Sequence, residues 1–155
     1  MKKYVFLLPL LALCTAQLFA QDPAALRKKQ FNLDNGVGAG GYDPVAYFTQ
    51  NKAVKGSKDN ATVYEGVTWY FLSAANKEAF KKDPARYEPA YGGWCAYAMG
   101  AKGEKVAVDP KTFKITDGHL FLFYNKFFNN TLIEWNKDEA HLKKNADANW
   151  QKTIH

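Results

Sequence analysis

Residues 113–124 read Phe-Lys-Ile-Thr-Asp-Gly-His-Leu-Phe-Leu-Phe-Tyr, and this stretch does most to decide the fold. Apolar runs lie on both sides of Asp117-Gly118, and an Asp-Gly pair between such runs is the strongest short-range signal of a β-hairpin. Residues 62–71 repeat the arrangement, because β-branched and aromatic residues flank Glu65-Gly66. The sequence therefore predicts two hairpins.

Helical segments accompany both hairpins. Ser73 is a favourable N-cap for a helix that continues to Lys82, and Asp83-Pro84 is predicted to end it. Residues 94–99 are consistent with a short helix, and the tail from residue 127 to residue 150 carries an apolar stripe that begins at Phe127. The predicted fold class is α+β: one small domain with two β-hairpins and three to four short helices.

The beginning of the chain has the pattern of a secretory signal. Lys2 and Lys3 precede an apolar run that ends at Ala20, after which the chain turns polar. The bulky residue two positions before Ala20 leaves cleavage after Ala16 open as an alternative. The pattern predicts export.

Two other interpretations of this segment are an uncleaved membrane anchor and a lipoprotein signal that uses Cys14. The apolar run is just under the roughly 20 residues that a span needs, and the residue before Cys14 is a bulky Leu. We therefore predict a signal peptide over residues 1–20, a flexible N-terminal lead-in over residues 21–40, and a periplasmic or secreted protein with no membrane span after cleavage.

The charge distribution argues against a nucleic-acid partner. The formal net charge is +6, and it falls to +4 without Lys2 and Lys3. The remaining basic residues are scattered among acidic ones, whereas a nucleic-acid surface needs a dense basic stripe. The glycine-rich residues 36–41 lack the strand-then-helix context of a phosphate-binding loop.

Cys95 is the one thiol of the predicted mature chain, because Cys14 belongs to the signal. No intramolecular disulfide can form. Met99 lies four residues further on, and in a helix this spacing places two side chains on one face. A thiolate and a thioether are soft ligands that select Cu(I), and His119 is a candidate third ligand. The alternative is that Cys95 and Met99 are core residues.

Aromatic side chains form a second candidate site. Tyrosine and tryptophan combine apolar area with a hydrogen-bonding tip, so they can line a pocket for a small ligand. The alternative is that they fill the core of a small domain. The candidate ligand-binding residues are Tyr42, Asp43, Tyr91, Trp94 and Tyr97.

The motifs distributed along the chain resemble those of the YHS domain family, in its secreted, stand-alone branch. The resemblance covers about residues 41–150, and we place the YHS-like domain at residues 41–152. It rests on Gly41-Tyr42-Asp43-Pro44-Val45-Ala46-Tyr47-Phe48, Val54-Lys55-Gly56-Ser57, Tyr64-Glu65-Gly66, Tyr70-Phe71-Leu72-Ser73, Tyr91-Gly92-Gly93-Trp94-Cys95-Ala96-Tyr97-Ala98-Met99 and Ala146-Asp147-Ala148-Asn149-Trp150.

The resemblance implies a link to metals, because YHS domains are related to small metal-associated modules found beside copper and other heavy-metal transporters. Those modules carry a pair of cysteines after the aromatic position that Phe71 occupies here. In this chain the two cysteine positions are Leu72 and Asn76. A metal site inherited from that cysteine pair is therefore absent, and a metal would have to use other residues.

These observations favour an exported, non-enzymatic binding module. Its expected ligand is a soft metal such as copper; the alternative is a small-ligand or protein-interaction module with an aromatic-lined pocket and no metal. A nucleophilic Cys95 would need a base such as His119 or His141, and the sequence carries no thiol-protease or acyltransferase signature. The sequence does not indicate a particular protein partner.

Overall fold

A computed structural model describes residues 22–154, so the predicted signal peptide lies outside the described residues. The helices are α1 Pro23–Gln30, α2 Pro44–Gln50, α3 Ala74–Lys82, α4 Pro84–Tyr87, α5 Ala96–Lys102, α6 Thr131–Lys137 and α7 Glu139–Ile154. The strands are β1 Leu33–Asp34, β2 Val37–Gly38, β3 Ser57–Tyr64, β4 Val67–Phe71, β5 Asp109–Thr116, β6 His119–Phe123, β7 Asn125–Lys126 and β8 Asn129–Asn130.

The predicted α+β class is confirmed, but the described residues contain seven α-helices rather than three to four. Asp-Pro accounts for part of the difference. Asp83-Pro84 ends α3 as predicted, and the same pair begins α4, because Asp83 accepts a hydrogen bond from Arg86 N and proline fits the first helical position. Asp43-Pro44 begins α2 in the same way.

Both predicted hairpins are present. In the first, Tyr64 pairs with Val67 across Glu65-Gly66, and in the second, Thr116 pairs with His119 across Asp117-Gly118. All four turn residues have positive φ, as a two-residue type I′ turn requires. A third hairpin, β7–β8, has Phe127-Phe128 at its turn, so Phe127 does not belong to the predicted helical stripe.

Residues 22–40 are part of the fold, which differs from the flexible lead-in predicted at residues 21–40. β1 and β2 extend the first hairpin into a four-stranded sheet of order β1-β2-β4-β3, with β2 parallel to β4. The ring of Phe31 meets that of Trp150 edge-on at 6.1 Å between centroids. The ordered part of the domain therefore begins before residue 41.

Strand β6 lies between two parts of the core. Leu120 and Leu122 pack in a cluster with Tyr42 and Tyr47, whereas Phe121 and Phe123 pack on the opposite face with Trp135 and other residues. The period-two alternation of a strand thus serves two apolar layers. No helix among residues 22–154 is long and apolar enough to cross a bilayer.

Candidate functional site

An open cleft of about 250 Å³ lies between α5, the segment after α5 and the start of α6. We call it the Cys95 cleft. Ala98, Ala101 and Val106 supply apolar lining, and Tyr124 and Thr131 line the side formed by the β7–β8 hairpin and α6. The cleft therefore combines an apolar surface with a small number of polar groups, as small-molecule sites commonly do.

Cys95 is held under this cleft by backbone contacts on two sides. Its N–H donates to the carbonyl of Val106 over 2.9 Å, and the residue forms a parallel β-bridge with Leu122. Cys95 is also the N-cap residue of α5, with non-helical dihedrals of φ −59° and ψ 116°. The residue is fully buried while bordering the cleft, so it lies beneath the cleft surface.

The thiol belongs to a closed ring of hydrogen bonds. Tyr124 N–H donates to Cys95 Sγ over 3.4 Å, and the Thr131 hydroxyl donates to the Tyr124 carbonyl over 3.0 Å. Cys95 Sγ and Thr131 Oγ1 are 3.3 Å apart. Since the single hydroxyl proton of Thr131 is used on Tyr124, we assign the thiol as the donor to Thr131. Every polar group at the base of the cleft thus has a partner.

Longer polar side chains surround the cleft. Tyr97 is half-buried and packs partly against the core, while Lys102, Glu104 and Asn129 are exposed. The lining therefore offers a cation, an anion and an amide outside an apolar interior. Such a mixture suits a ligand with an apolar body and a polar end, and it does not create a strong field of either sign.

The predicted soft ligands do not converge. Met99 is fully buried in the core cluster that contains Phe121 and Trp135, and it does not line the Cys95 cleft. His119 is exposed at the start of β6, whereas Cys95 lies beside Leu122, about 10 Å further along that strand at the usual rise per residue. Among residues 22–154, no three side chains of His, Cys, Asp or Glu are grouped to hold a metal ion.

Asp43 is a structural carboxylate rather than an accessible one. It is fully buried, and Oδ1 accepts from Val45 N at 2.8 Å and Ala46 N at 3.2 Å, which caps α2. Oδ2 accepts from Leu72 N and from the Asn76 side chain, both at 2.7 Å. Leu72 and Asn76 are the two positions where the metal-associated modules carry cysteine, and here they serve to join α2, β4 and α3.

The other candidate ligand residues lie in separate places. The Tyr91 hydroxyl donates to Asp147 over 2.9 Å, and burial together with this contact raises the pKa of Tyr91 above its usual range. The Trp94 indole donates to the carbonyl of Gln30 over 2.7 Å. Tyr42 borders a different groove, in which the ammonium of Lys55 lies 4.4 Å from its ring centroid. Only Tyr97 shares the cleft with Cys95.

Sequence reasoning missed Tyr124 and Thr131 as partners of Cys95. They lie 29 and 36 residues away along the chain and reach the thiol only through the packing of β6 and α6. No local pattern could have identified them. Sequence reasoning also placed Cys95 inside a helix, where the i,i+4 spacing predicts that Cys95 and Met99 share a face. Cys95 is instead the N-cap residue of α5 and has non-helical dihedrals, so the predicted shared face does not follow.

Comparison with known proteins gives one match. Residues 45–91 match the model of the YHS domain, which confirms the predicted resemblance over that segment. No curated protein and no solved structure matches the chain. The matched segment includes α2, the first hairpin, α3 and α4, whereas the Cys95 cleft is built by residues that follow it.

Proposed function

We propose that this protein is an exported, non-enzymatic binding module and that the Cys95 cleft is its ligand site. The observation that carries the proposal is the pairing of an open, largely apolar cleft with the Cys95–Thr131–Tyr124 hydrogen-bond ring beneath it. The ring fixes the base of the cleft before any ligand arrives. A preformed base lowers the ordering cost of binding.

The ligand class follows from the lining. Tyr97, Ala98 and Val106 favour a flat or compact apolar body, and a cleft of about 250 Å³ limits it to a small molecule. The exposed amide of Asn129 and the ammonium of Lys102 can meet a polar end. We therefore propose a small aromatic or aliphatic molecule with one polar group.

Chemical-shift mapping with indole as the probe tests this site. We expect indole to shift the backbone amide signals of Tyr97, Val106 and Thr131 in the processed protein. Ala101→Phe should abolish these shifts, because Ala101 is exposed on α5 and lines the cleft, so a phenyl ring can occupy the space without entering the core. Ala140→Phe, at an exposed helical alanine outside the cleft lining, is the matched control. Shifts that survive in Ala101→Phe would refute the site.

Soft-metal binding is a second candidate, and the thiol of Cys95 next to an open cleft is the observation that favours it. The donor set among the described residues is incomplete, because Met99 faces the core and His119 lies at the far end of β6. A Cu(I) ion at Cys95 would need a further donor from outside the described fold.

Anaerobic competition for Cu(I) against a chelator separates the two candidates. If copper binds at Cys95, Cys95→Ala should lose the ion, whereas Met99→Leu should keep it, because Met99 lies in the core and does not line the cleft. Equal and poor retention by the wild type and Cys95→Ala would remove copper as a ligand.

A further inference from the structure

The turn of the β7–β8 hairpin carries the two most exposed large apolar side chains in the described chain. Phe127 and Phe128 have relative exposures of 89% and 112%. They are consecutive in sequence and form the whole two-residue turn, because Lys126 pairs with Asn129 on either side of them. The result is a convex aromatic tip, which we call the Phe127–Phe128 tip.

The backbone of this tip goes against the preferences of its residues. Phe127 and Phe128 have φ values of 52° and 63°, in the left-handed region that L-residues with bulky side chains avoid. The three other two-residue hairpin turns among the described residues also have positive φ at both positions, and each has glycine second: Asn35-Gly36, Glu65-Gly66 and Asp117-Gly118. Local folding preference alone therefore does not account for two phenylalanines here.

The hairpin is held to the domain at its base. The Asn125 side-chain amide donates to the Thr112 hydroxyl over 3.0 Å, and Thr131 N–H donates to the Tyr124 carbonyl over 3.0 Å. These contacts connect the hairpin to β5 and to the start of α6. The two rings consequently project from an anchored support rather than from a loose loop.

Within the β7–β8 hairpin the charged side chain beside the tip is a lysine, while Glu104 and Lys102 line the neighbouring cleft. Residues 124–130 contain Lys126 and no acidic side chain. Lys111, next to the residue that anchors Asn125, is also exposed. The chain without residues 1–20 keeps a formal charge of +4, so an anionic partner surface is favoured.

We propose that the Phe127–Phe128 tip inserts into the interface of an anionic lipid membrane and holds the protein at that surface. A convex tip of two adjacent rings needs an occupant that can close around it, and the fluid boundary between headgroups and acyl chains does so. Phenylalanine side chains are favoured on surfaces that insert at that depth, and Lys126 can meet anionic headgroups. This is surface attachment, distinct from a membrane span, and although the tip adjoins Asn129 of the cleft lining, neither phenylalanine lines the Cys95 cleft.

Vesicle sedimentation tests the proposal on the protein without residues 1–20, whose apolar run would bind lipid by itself. We expect binding to vesicles of phosphatidylglycerol and phosphatidylcholine at low salt, and weaker binding to phosphatidylcholine alone. The variant F127N/F128G should bind at least about tenfold more weakly, because it removes the aromatic insertion that carries binding. It also installs a favoured type I′ turn, so it should fold at least as well as the wild type.

Val63→Thr is the matched control, because Val63 is a large exposed apolar residue on β3, away from the tip, and should bind like the wild type. Lys126→Gln should weaken binding and reduce its salt dependence. Failure of the wild type to bind anionic vesicles, or equal binding by F127N/F128G, would overturn the proposal. Concentration-dependent dimers that disappear in F127N/F128G, without vesicle binding, would overturn it in favour of a second copy as the occupant.

Discussion

The two-residue turns of the β5–β6 and β7–β8 hairpins both have positive φ at each position, but they differ in the residue types that occupy them. Asp117 and Gly118 have φ values of 52° and 75°, and Phe127 and Phe128 have 52° and 63°. The first pair suits that conformation, because aspartate tolerates positive φ and glycine has no Cβ. The second pair does not. Where residue type and backbone agree, the sequence predicts the structure; where they conflict, a function becomes the better explanation.

The same contrast holds for two buried carboxylates. Asp43 has four hydrogen-bond donors on its two oxygens, so its surroundings agree with its charge. Glu88 is largely buried with one ion pair, 2.5 Å from Arg27 Nη2. Burial outweighs that attraction and raises the pKa of Glu88 to about 7. Four variants, taken from the largest expected effect to the smallest, test which of these residues suit their surroundings and which are strained by them.

Asp43→Ala should have the largest effect on stability. The substitution leaves Leu72 N–H, Val45 N–H and the Asn76 amide without their acceptor in a buried site, and such losses destabilise a domain by about 3–5 kcal/mol. Urea denaturation measures the free energy of unfolding. Asp59→Ala, at an exposed aspartate, should change it by less than about 0.5 kcal/mol. A small effect of Asp43→Ala would mean that the carboxylate does not hold α2 to α3.

Glu88 should make stability fall with rising pH. Its pKa is about 7 in the folded protein and near 4.5 when exposed, so the folded state binds the proton more tightly. Its contribution is therefore fully present below pH 4.5 and is lost as the pH rises through 7, by on the order of 3 kcal/mol. Glu88→Gln should flatten this part of the profile in urea titrations at pH 4.5, 6 and 8. Glu65→Gln removes only the weakest contribution to the raised pKa of Glu88, so it should reduce this part of the profile slightly.

Gly118→Phe should place a phenylalanine in the left-handed backbone conformation that Phe128 already adopts in the other turn. A Cβ at φ 75° is strained whatever space surrounds it, and the open space around Gly118 excludes a steric clash as the cause. We expect a loss of about 1–2 kcal/mol, measured by urea denaturation. Lys111→Phe, which adds a phenyl ring at an exposed strand position, controls for the added apolar surface. An unchanged free energy would show that the turn tolerates aromatic residues without strain.

F127N/F128G should have the smallest effect, and in the opposite direction. Replacing the two phenylalanines by the preferred type I′ pair should raise the free energy of unfolding by about 1 kcal/mol. The wild type and the variant can be compared in one urea series. A decrease would indicate that the two rings stabilise the folded protein. It would contradict the account that phenylalanine at positive φ destabilises this turn.

The fold was predictable where local sequence determines local structure, and it was not predictable where long-range packing does. Glu65-Gly66 and Asp117-Gly118 were decisive because a two-residue turn depends on its own residues. The ordered structure of residues 22–40 could not be predicted, because β1 and β2 are two-residue strands that pair with each other, and only the pairing of β2 with β4 joins them to the first hairpin. The Cys95 cleft was only half predictable. Cys95 and Tyr97 are visible as candidates, whereas Thr131 and Tyr124 become its neighbours through tertiary packing alone.

The affinity for indole in the wild type, Ala101→Phe and Ala140→Phe tests the central claim, that the Cys95 cleft is a ligand site, most directly. The measurement is an NMR titration that follows the amide signals of Val106 and Thr131. The account predicts saturable binding by the wild type and Ala140→Phe, and binding at least about tenfold weaker in Ala101→Phe, because the new ring fills the space that the ligand needs. Equal affinity in all three proteins, or shifts centred away from the cleft, would contradict it.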